Sequence, residues 1–398
     1  LMRGVVCAAL ALAASFVLWG RAARTSAQGP PAGDRPVEQT RKNIQVLKGL
    51  PESRLFPEMN FIAASLGVQC GFCHVNKGRD PQTGQTQWVW ESDEKEEKKV
   101  AREMMRMVLT VNKGDFGLSR GQVTCYTCHR GQEHPQSLPP LPLPTPAPRP
   151  SPAGGVPGTA AAPGATTPGA SAPRPELPTV QQVFDKYVAA VGRPEAVRQF
   201  ETRVFKGTVA GVRGSQNFEL TLKGTDKMLL VVEGGQGGGP LRRAYSGGAG
   251  WMTGPRGPRE LAAGELAEAR RNAVLFDVVK FAPAATMRVG GRRKVGERDA
   301  VVVVDRPSET LQRRYFFDAE TGLLLRVVTL TDAILNQIPE QVDFEDYRDV
   351  DGVKVPFTVR ISSVVPVNSQ TLTVTELKHG VPVDESLFQL PPPPAPRP

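Results

Sequence analysis

One stretch of the chain, residues 135–178, cannot contribute to a packed core. It is dominated by proline, alanine, glycine and threonine and holds almost no aromatic or β-branched core material. Such a composition buries too little apolar surface to offset the entropy lost on folding, and its prolines favour extended polyproline II. The stretch therefore predicts a disordered, semi-stiff linker with one folded domain on each side.

The first 27 residues have the pattern of an export signal. Arg3 precedes an apolar run, Val5–Trp19, and the small residues Thr25–Ala27 fit a cleavage site. Because the run is near the lower length limit for crossing a bilayer, an uncleaved N-terminal anchor is the alternative interpretation. Both interpretations place the rest of the chain in the periplasm, either released or anchored at the membrane.

The segments on either side of the linker are long enough for each to bury its own core. We expect a first domain at residues 35–134 and a second at residues 179–391, followed by a short proline-rich tail. The net charge of +9 is spread over both halves, with basic and acidic residues interleaved. This distribution lacks the basic face of a nucleic-acid-binding protein, so we expect no nucleic acid partner.

Cysteine and histidine are scarce, and most of them fall in two short motifs. Cys7 lies in the export segment, and the other cysteines belong to Cys70-Gly-Phe-Cys73-His74 and Cys125-Tyr-Thr-Cys128-His129. In c-type attachment, two thiols three positions apart add to the vinyl groups of haem, and the adjacent histidine binds the iron. The sequence therefore predicts two covalently bound haem c groups. The attachment residues would be Cys70, Cys73, Cys125 and Cys128, with His74 and His129 as iron ligands.

Three other uses of these cysteines are chemically possible. Zinc held by paired C-x-x-C motifs would leave the two adjoining histidines unexplained. Disulfides within C-x-x-C would close very small, strained loops. A thioredoxin-like redox site needs a strand-to-helix context that neither motif has. Haem attachment is preferred because it uses the histidines as well as the thiols.

The first domain shows helical periodicity before each motif. A short opening helix is predicted over Gln39–Lys48, and a second helix carries Met59 and ends at Gly67. A longer helix over Glu94–Val111 precedes the second motif. Its apolar residues follow one stripe, namely Val100, Met104, Met107, Val108 and Val111. The domain is therefore interpreted as a duplicated unit in which a methionine-bearing helix precedes C-x-x-C-H.

Each iron needs a sixth ligand if the protein only carries electrons. The remaining histidines are His134, directly behind the second motif, and His379 in the other domain, so methionine is the better candidate. The first helix offers Met59. The second helix offers Met104, Met105 and Met107. Methionine at helical spacing is usually core filler, so the residues alone leave the choice between ligand and core open.

Three segments of the first domain carry a family resemblance. They are Leu66-Gly-Val-Gln-Cys-Gly-Phe-Cys-His74, Ala101-Arg-Glu-Met104 and Val123-Thr-Cys-Tyr-Thr-Cys-His-Arg-Gly131. These segments resemble the tetrahaem cytochrome c subunit of photosynthetic reaction centres. The resemblance implies Met59 and Met104 as sixth ligands of the two irons, with Met107 as the alternative for the second iron. Because no third or fourth motif follows, only the two-haem module of that family has a counterpart here.

The second domain shows the alternation of β-strands after one helix, Val180–Val191. The predicted strands are Thr202–Ala210, Asn217–Leu222, Met228–Val232, Ala300–Asp305, Arg314–Asp318, Leu323–Thr329, Gln341–Asp346, Thr358–Ile361 and Gln370–Glu376. With a further helix near Ala262–Val279, the pattern predicts an antiparallel sheet wrapped around one or two helices. The segments Phe317–Arg326 and Asp346–Phe357 resemble lipoprotein-carrier-like half-barrels, a resemblance that concerns fold and not function.

These expectations combine into a multidomain chain with a mainly α dihaem cytochrome c domain, a proline-rich linker and an α+β antiparallel half-barrel. The preferred interpretation is an exported electron carrier, not an enzyme, that exchanges electrons with protein partners in the periplasm or at the membrane. One alternative is a dihaem peroxidase with one open iron. The other is a half-barrel that binds a lipid or apolar ligand, with the haem domain as a redox sensor.

Overall fold

A computed structural model of the chain shows two folded parts. It describes residues 34–82, 84–114, 123–135, 176–192, 196, 201–212, 214–224, 226–234, 239–254, 257–261, 265–266, 269 and 282–391. The expected export segment and nearly all of the expected linker lie outside the described residues. Among the helices that are described, none has both the length and the apolar character needed to span a membrane.

The first part consists of helices and one hairpin. The helices are α1 (Val37–Thr40), α2 (Glu52–Leu66), α3 (Cys70–Cys73), α4 (Glu96–Lys113) and α5 (Cys125–His129). The hairpin pairs β1 (Val75–Arg79) with β2 (Thr86–Val89) in an antiparallel arrangement. Each cysteine motif therefore forms a short helix, α3 or α5, that follows a longer helix in the chain.

The helix boundaries of the first part follow the sequence prediction in one place and depart from it in another. Helix α2 ends where predicted, because Gly67 adopts the left-handed conformation (φ 69°) that favours glycine. The predicted opening helix over Gln39–Lys48 is wrong, since α1 stops at Thr40. Asn43 has a left-handed φ of 59°, and its side-chain amide donates to the carbonyl of Glu91 at 2.6 Å. This side-chain bond competes with helix formation.

The core of the first part is small. Its buried members are Val37, Leu47, Leu50, Ile62, Val108 and Leu335. Helices α2 and α4 each contribute one face to this cluster, through Ile62 and Val108 respectively. Leu335 comes from a loop of the second part, so the two parts are in contact at the core of the first.

The second part is built from one helix, α6 (Val180–Val191), and a sheet of 13 described strands. The strands are β3 (Thr202–Gly211), β4 (Gly214–Lys223), β5 (Lys227–Val232), β6 (Leu241–Ser246), β7 (Ala249–Gly254), β8 (Gly257–Glu260), β9 (Met287–Val295), β10 (Arg298–Ser308), β11 (Leu311–Asp318), β12 (Leu324–Asp332), β13 (Gln337–Val350), β14 (Val353–Ser363) and β15 (Gln370–His379). All neighbouring strands pair antiparallel, in the order β8-β7-β6-β5-β4-β3-β15-β14-β13-β12-β11-β10-β9.

The sequence prediction of the strands is confirmed for the middle of this sheet. Each of the nine predicted strands is present, most of them longer than predicted. Strands β6, β7, β8 and β9 were not predicted, and they form the two edges of the sheet. The predicted helix near Ala262–Val279 lies almost entirely outside the described residues.

Helix α6 packs its apolar face against the sheet. The helix begins at Thr179, whose hydroxyl accepts the backbone N–H of Gln182 at 3.2 Å and so caps the first turn. The rings of Phe184 and Tyr187 each lie 5.4 Å from the ring of Phe317 in β11. Burial of each ring contributes about 2–3 kcal/mol. The predicted fold class is therefore confirmed: a small helical part is followed by an α+β part with one large antiparallel sheet.

The first and last strands of the sheet, β3 and β15, pair with each other in its middle. A register shift between Val374 and Glu376 places the β15 backbone very close to Gly207 of β3. A Cβ atom at Gly207 would lie 2.0 Å from the carbonyl oxygen of Thr373. This approach requires glycine at position 207, so the joining of the two halves of the sheet depends on that residue.

Candidate haem sites

The first motif forms a single helical turn, α3, held by a lysine from the following helix. The backbone N–H of His74 donates to the carbonyl of Cys70 at 3.0 Å and closes the turn. The ammonium of Lys95, directly before α4, donates to the carbonyls of Gly71 and Phe72. The thiols of Cys70 and Cys73 are half-buried and unbridged. The turn therefore presents two free thiols and the adjacent imidazole together, as haem attachment requires.

The imidazole of His74 is fixed by aromatic neighbours. Its ring meets the edge of Trp90 at 5.0 Å, and Trp90 stacks on Trp88 at 4.8 Å. The Nδ1 atom is buried and makes no well-formed hydrogen bond. Burial, assisted by the positive charge of Lys98, lowers the pKa of His74. The ring is therefore neutral near pH 7, which is the form that binds a metal.

The second motif forms the turn α5, and polar contacts hold it against α2 and α4. Asn112 in α4 makes two hydrogen bonds to the backbone of Val123. Its side-chain amide donates to the Val123 carbonyl at 2.8 Å, and its side-chain oxygen accepts the Val123 N–H at 3.3 Å. Behind the motif, the N–H of Gly131 donates to the carbonyl of Ser65 in α2 at 2.8 Å. The contact is so close that a Cβ atom at Gly67 would lie 2.2 Å from the Gly131 oxygen.

The orientation of His129 is set by the turn that follows α5. Arg130 and Gly131 both have left-handed backbones, with φ of 51° and 83°. This turn brings the carbonyl of Gln132 to 3.0 Å from Nδ1 of His129. Because a carbonyl can only accept, Nδ1 carries the proton and Nε2 keeps its lone pair. A backbone acceptor behind the ring is the usual arrangement for a histidine that binds iron through Nε2.

Burial favours the protonated form of two of the thiols, those of Cys73 and Cys125. Burial, with a smaller contribution from the nearby carboxyl of Glu58, raises the pKa of Cys125 to about 11. Burial also raises the pKa of Cys73. Within the described ranges, no three histidine, cysteine or acidic residues are grouped as a metal site.

Helix α4 presents an apolar face to solvent. Val100, Met104 and Met107 follow one another at helical spacing and are 48%, 44% and 50% exposed. We call these three residues the Met104 face. The buried side of α4 is a different one, on which Val108 lies in the core and Met105 packs against it. The single stripe predicted from the sequence is therefore two faces, and Met104 and Met107 do not serve as core filler.

Met59 has a different environment from Met104. It is half-buried in α2 and packs against the core cluster of the first part. Helix α2 lies against α5, whereas α4 lies against α3, so each methionine-bearing helix contacts the motif of the other unit. The spare histidines are elsewhere, because His379 is on β15 next to Asp351 at 3.1 Å and His134 is exposed beside Glu133.

Several residues that shape the site were not found from the sequence. The carbonyl of Gln132 and the Gly131–Ser65 contact are backbone features, which a residue pattern does not reveal. Lys95 lies in a mixed charge run that is typical of an exposed helix start. Trp88 and Trp90 offer a usable signal, since two tryptophans occur close together in the polar segment between the first motif and α4.

Comparison with known proteins finds a family model that matches the first part of the chain and solved structures that are similar to the chain. Residues 23–140 match the family model of the photosynthetic reaction centre cytochrome c subunit. The chain is also similar to a LolA superfamily protein from Nitrosomonas europaea, with 11% identity, a TM-score of 0.37 and coverage of 54% of this chain and 98% of that one. It is similar as well to a DUF1329 family protein from Desulfovibrio piger, with 13% identity and a TM-score of 0.40. That match covers 53% of this chain and 97% of the other.

A putative outer membrane lipoprotein-sorting protein domain from Vibrio parahaemolyticus is similar to the chain at 13% identity and a TM-score of 0.37. The match covers 51% of this chain and 96% of that one. The family model spans both cysteine motifs, Cys70–His74 and Cys125–His129. Residues 23–140 are thus similar to the reaction centre cytochrome c subunit, which supports a haem-binding electron-transfer module in the first part of the chain.

Proposed function

We propose that this protein is an exported dihaem c-type cytochrome that acts in electron transfer. Cys70 and Cys73 attach the first haem, and Cys125 and Cys128 attach the second. His74 and His129 would be the histidine ligands of the two irons. The family resemblance assigns Met59 to the first iron and Met104 to the second.

The observation that carries the proposal is the geometry of the second motif. One helical turn presents two unbridged thiols, and the next residue, His129, has Nδ1 bonded to the Gln132 carbonyl at 3.0 Å. Nε2 is therefore the atom left to bind iron. The Met104 face supports the same conclusion, because an apolar surface beside a haem motif is suited to contact a porphyrin and exclude water from it.

Haem bound here would carry one electron at a time, and the residues that bind its iron would set its chemical behaviour. The imidazoles of His74 and His129 would hold the iron, and the thioether sulfur of methionine would be a weaker donor that favours the reduced state. With a histidine and a methionine of this chain as ligands, neither iron would have an open coordination site. This arrangement favours electron transfer over the reaction with peroxide that a dihaem peroxidase needs.

The number of haems is tested by expressing the chain in a host with the c-type attachment machinery. We expect an intact mass with two haems added and an absorbance that agrees with two haems per chain. Replacement of Cys70 and Cys73 by alanine is expected to remove one haem, and replacement of Cys125 and Cys128 the other. A colourless protein with free thiols would contradict the proposal.

The axial ligands are tested by comparing Met104→Ala with Met107→Ala. If Met104 binds the second iron, its replacement abolishes the methionine-to-iron charge-transfer absorption of that haem and allows CO to bind there. Met107→Ala, which removes a side chain of the same face, is expected to leave both properties unchanged. Binding of CO and turnover of peroxide by the unmodified protein would instead favour the peroxidase alternative.

The cellular location and partners follow from the same proposal. Haem attachment of this type takes place outside the cytoplasm, and the N-terminal apolar run of the sequence fits export. We therefore expect the protein in the periplasm, free or anchored, with protein redox partners there or at the membrane. Cell fractionation followed by N-terminal mass analysis distinguishes the released from the anchored form.

A further inference from the structure

The loop between β12 and β13 is short, yet its side chains are buried. It consists of residues 333–336, and the N–H of Ala333 donates to the carbonyl of Asn336 at 2.8 Å to close the turn. Leu335 is 1% exposed and Asn336 is 2% exposed, although both lie at the end of a hairpin. Hairpin ends of antiparallel sheets usually point into solvent. This loop therefore has a partner that covers it.

The partner is helix α2 of the first part. Leu335 belongs to the same buried cluster as Ile62 of α2, and Ile334 packs against that cluster. The side-chain amide of Asn336 donates to Oε1 of Glu58 in α2 at 2.9 Å. Glu58 is itself fully buried. An apolar anchor and a buried hydrogen bond thus join residues that are 278 positions apart in the sequence.

The contact lies directly beside a proposed iron ligand. Glu58 precedes Met59, and both side chains lie on the side of α2 that packs inward, together with Ile62. Near its other end, α2 is held to the second motif by the bond from Gly131 to the Ser65 carbonyl. The rotation and position of α2 are therefore fixed from two directions, by the second motif and by the loop of the sheet.

We propose that residues 333–336 are a positioning element for α2, through which the second part of the chain holds Met59 in place on the first haem. The proposal rests on the proposed dihaem function and deepens it, because it gives the sheet a role in haem ligation. Leu335 and Asn336 act as positioning residues, since they touch α2 and not the iron. The sheet then controls how firmly the first iron keeps its methionine.

The test compares Leu335→Ala and Asn336→Ala in the full-length, haem-loaded protein. We expect each variant to lose the methionine-to-iron charge-transfer absorption of one haem, to bind CO at that haem only, and to lower its reduction potential. The other haem should keep its spectrum and potential. Leu335→Met keeps an apolar side chain of similar size, so this variant is expected to retain the wild-type spectrum.

The matched control is Val367→Ala. Val367 is an aliphatic residue of the second part, but it is 56% exposed in a short 3-10 helix, Pro366–Asn368. We expect this variant to have wild-type spectra and potentials for both haems. Hydrogen exchange of residues 300–361 in each variant shows whether the sheet is still folded, so that unfolding of the sheet is not mistaken for a positioning effect.

Hydrogen exchange of the amides of residues 58–62 measures the contact between α2 and residues 333–336 independently of the haem spectra. If the protection of these amides falls in Leu335→Ala while both haems keep their methionine absorption, the contact is only structural and the proposal is wrong. Rapid exchange of these amides in the unmodified protein, with two haems attached, would also overturn it. A haem count below two in the unmodified protein would instead contradict the proposed function.

Discussion

The two parts of the molecule differ in where one of their helices places its large apolar side chains. In the second part, Phe184, Tyr187 and Phe317 pack on one another and are almost fully buried. In the first part, the Met104 face of α4 lies in solvent beside the cysteine motifs. An exposed apolar face of this kind indicates a binding surface. The difference agrees with the proposed haem sites, because a bound haem would cover apolar surface of α4 that the described residues of the first part leave exposed.

The two parts also differ in what holds their elements in place. Backbone ladders between long strands connect the second part continuously from one edge of the sheet to the other. The first part depends on single polar contacts, such as Lys95 to the first motif and Asn112 to the segment before the second. Such contacts contribute about 1 kcal/mol each, so haem attachment is expected to supply much of the stability of this part.

The largest expected effect is the removal of one haem by the double substitution Cys125→Ala, Cys128→Ala. The loss of the covalent group leaves the apolar surface around α5 uncovered, so we expect the first part to unfold at lower temperature. Absorbance at the haem band should fall by half, and circular dichroism should show the strand signal of the second part unchanged. The same substitutions at Cys70 and Cys73 serve as the matched control for the first haem.

The next largest effect is expected in the second part, from Phe184→Ala. This ring is 1% exposed, and its removal leaves a cavity that should cost about 4 kcal/mol of unfolding free energy. Urea unfolding followed by the strand signal measures the change. Leu387→Ala, which removes a side chain that is 45% exposed, is the control and should change stability by less than about 0.5 kcal/mol. Equal effects of the two substitutions would show that the second part lacks a packed core.

A smaller effect is expected from Asp318→Ala, at the turn between β11 and β12. The Asp318 carboxylate accepts the N–H groups of Glu320 and Thr321 at 2.8 and 2.7 Å, and Arg298 at 2.6 Å. Loss of these bonds should destabilise the second part by about 2 kcal/mol. Asp346→Ala provides the comparison in the same sheet, because this aspartate is more exposed and its partner Arg348 is exposed too.

The Asp318 effect should depend on pH. Burial raises the pKa of this carboxyl, but the N–H groups of Thr321 and Glu320 and the charge of Arg298 outweigh burial and lower it overall. A carboxyl with a lowered pKa stabilises the fold above its unfolded pKa, near 3.9, and loses that contribution as the pH falls through the folded value. The difference between wild type and Asp318→Ala should therefore be constant at neutral pH and shrink below about pH 4. A stability difference between the two proteins that does not shrink in acid would contradict a role for the ionised Asp318 carboxylate.

The smallest expected effect is on the potential of the first haem. Lys95 donates to the first motif, so Lys95→Gln removes a positive charge that favours the reduced iron. We expect the potential of that haem alone to fall, by an amount equivalent to about 1 kcal/mol. Lys95→Arg keeps the charge and should keep the potential. Lys99→Gln removes an equal charge that is paired with Glu96 on the exposed side of α4, and should have little effect.

The sequence predicts the middle of the sheet well and its edges poorly, for a physical reason. Buried strands such as β10, with its run of valines, alternate clearly because both neighbours and the core constrain them. The edge strands β8 and β9 carry proline, glycine and several arginines, which weaken any apolar pattern. Such residues protect an edge from pairing with other chains. The residues that prevent an edge strand from pairing with other chains also make that strand hard to predict from sequence.

The residues of the candidate haem sites also divide into some that the sequence predicts and some that it does not. The cysteines and histidines follow from spacing alone, because covalent attachment demands a fixed interval. Met59 and Met104 came from the family resemblance, since periodicity does not separate a ligand from core filler. The pairing of Glu58 with Asn336 could not be predicted, because it joins two residues across the linker and depends on the docking of one part on the other.

The position of β15 has a consequence for how the protein is made. Among the described strands this one is synthesised last, yet it lies between β3 and β14 in the middle of the sheet. Until it emerges, the strands already synthesised can form at most two separate sheets, each with an unpaired edge. Translation of the second part is therefore nearly complete before a continuous sheet becomes topologically possible.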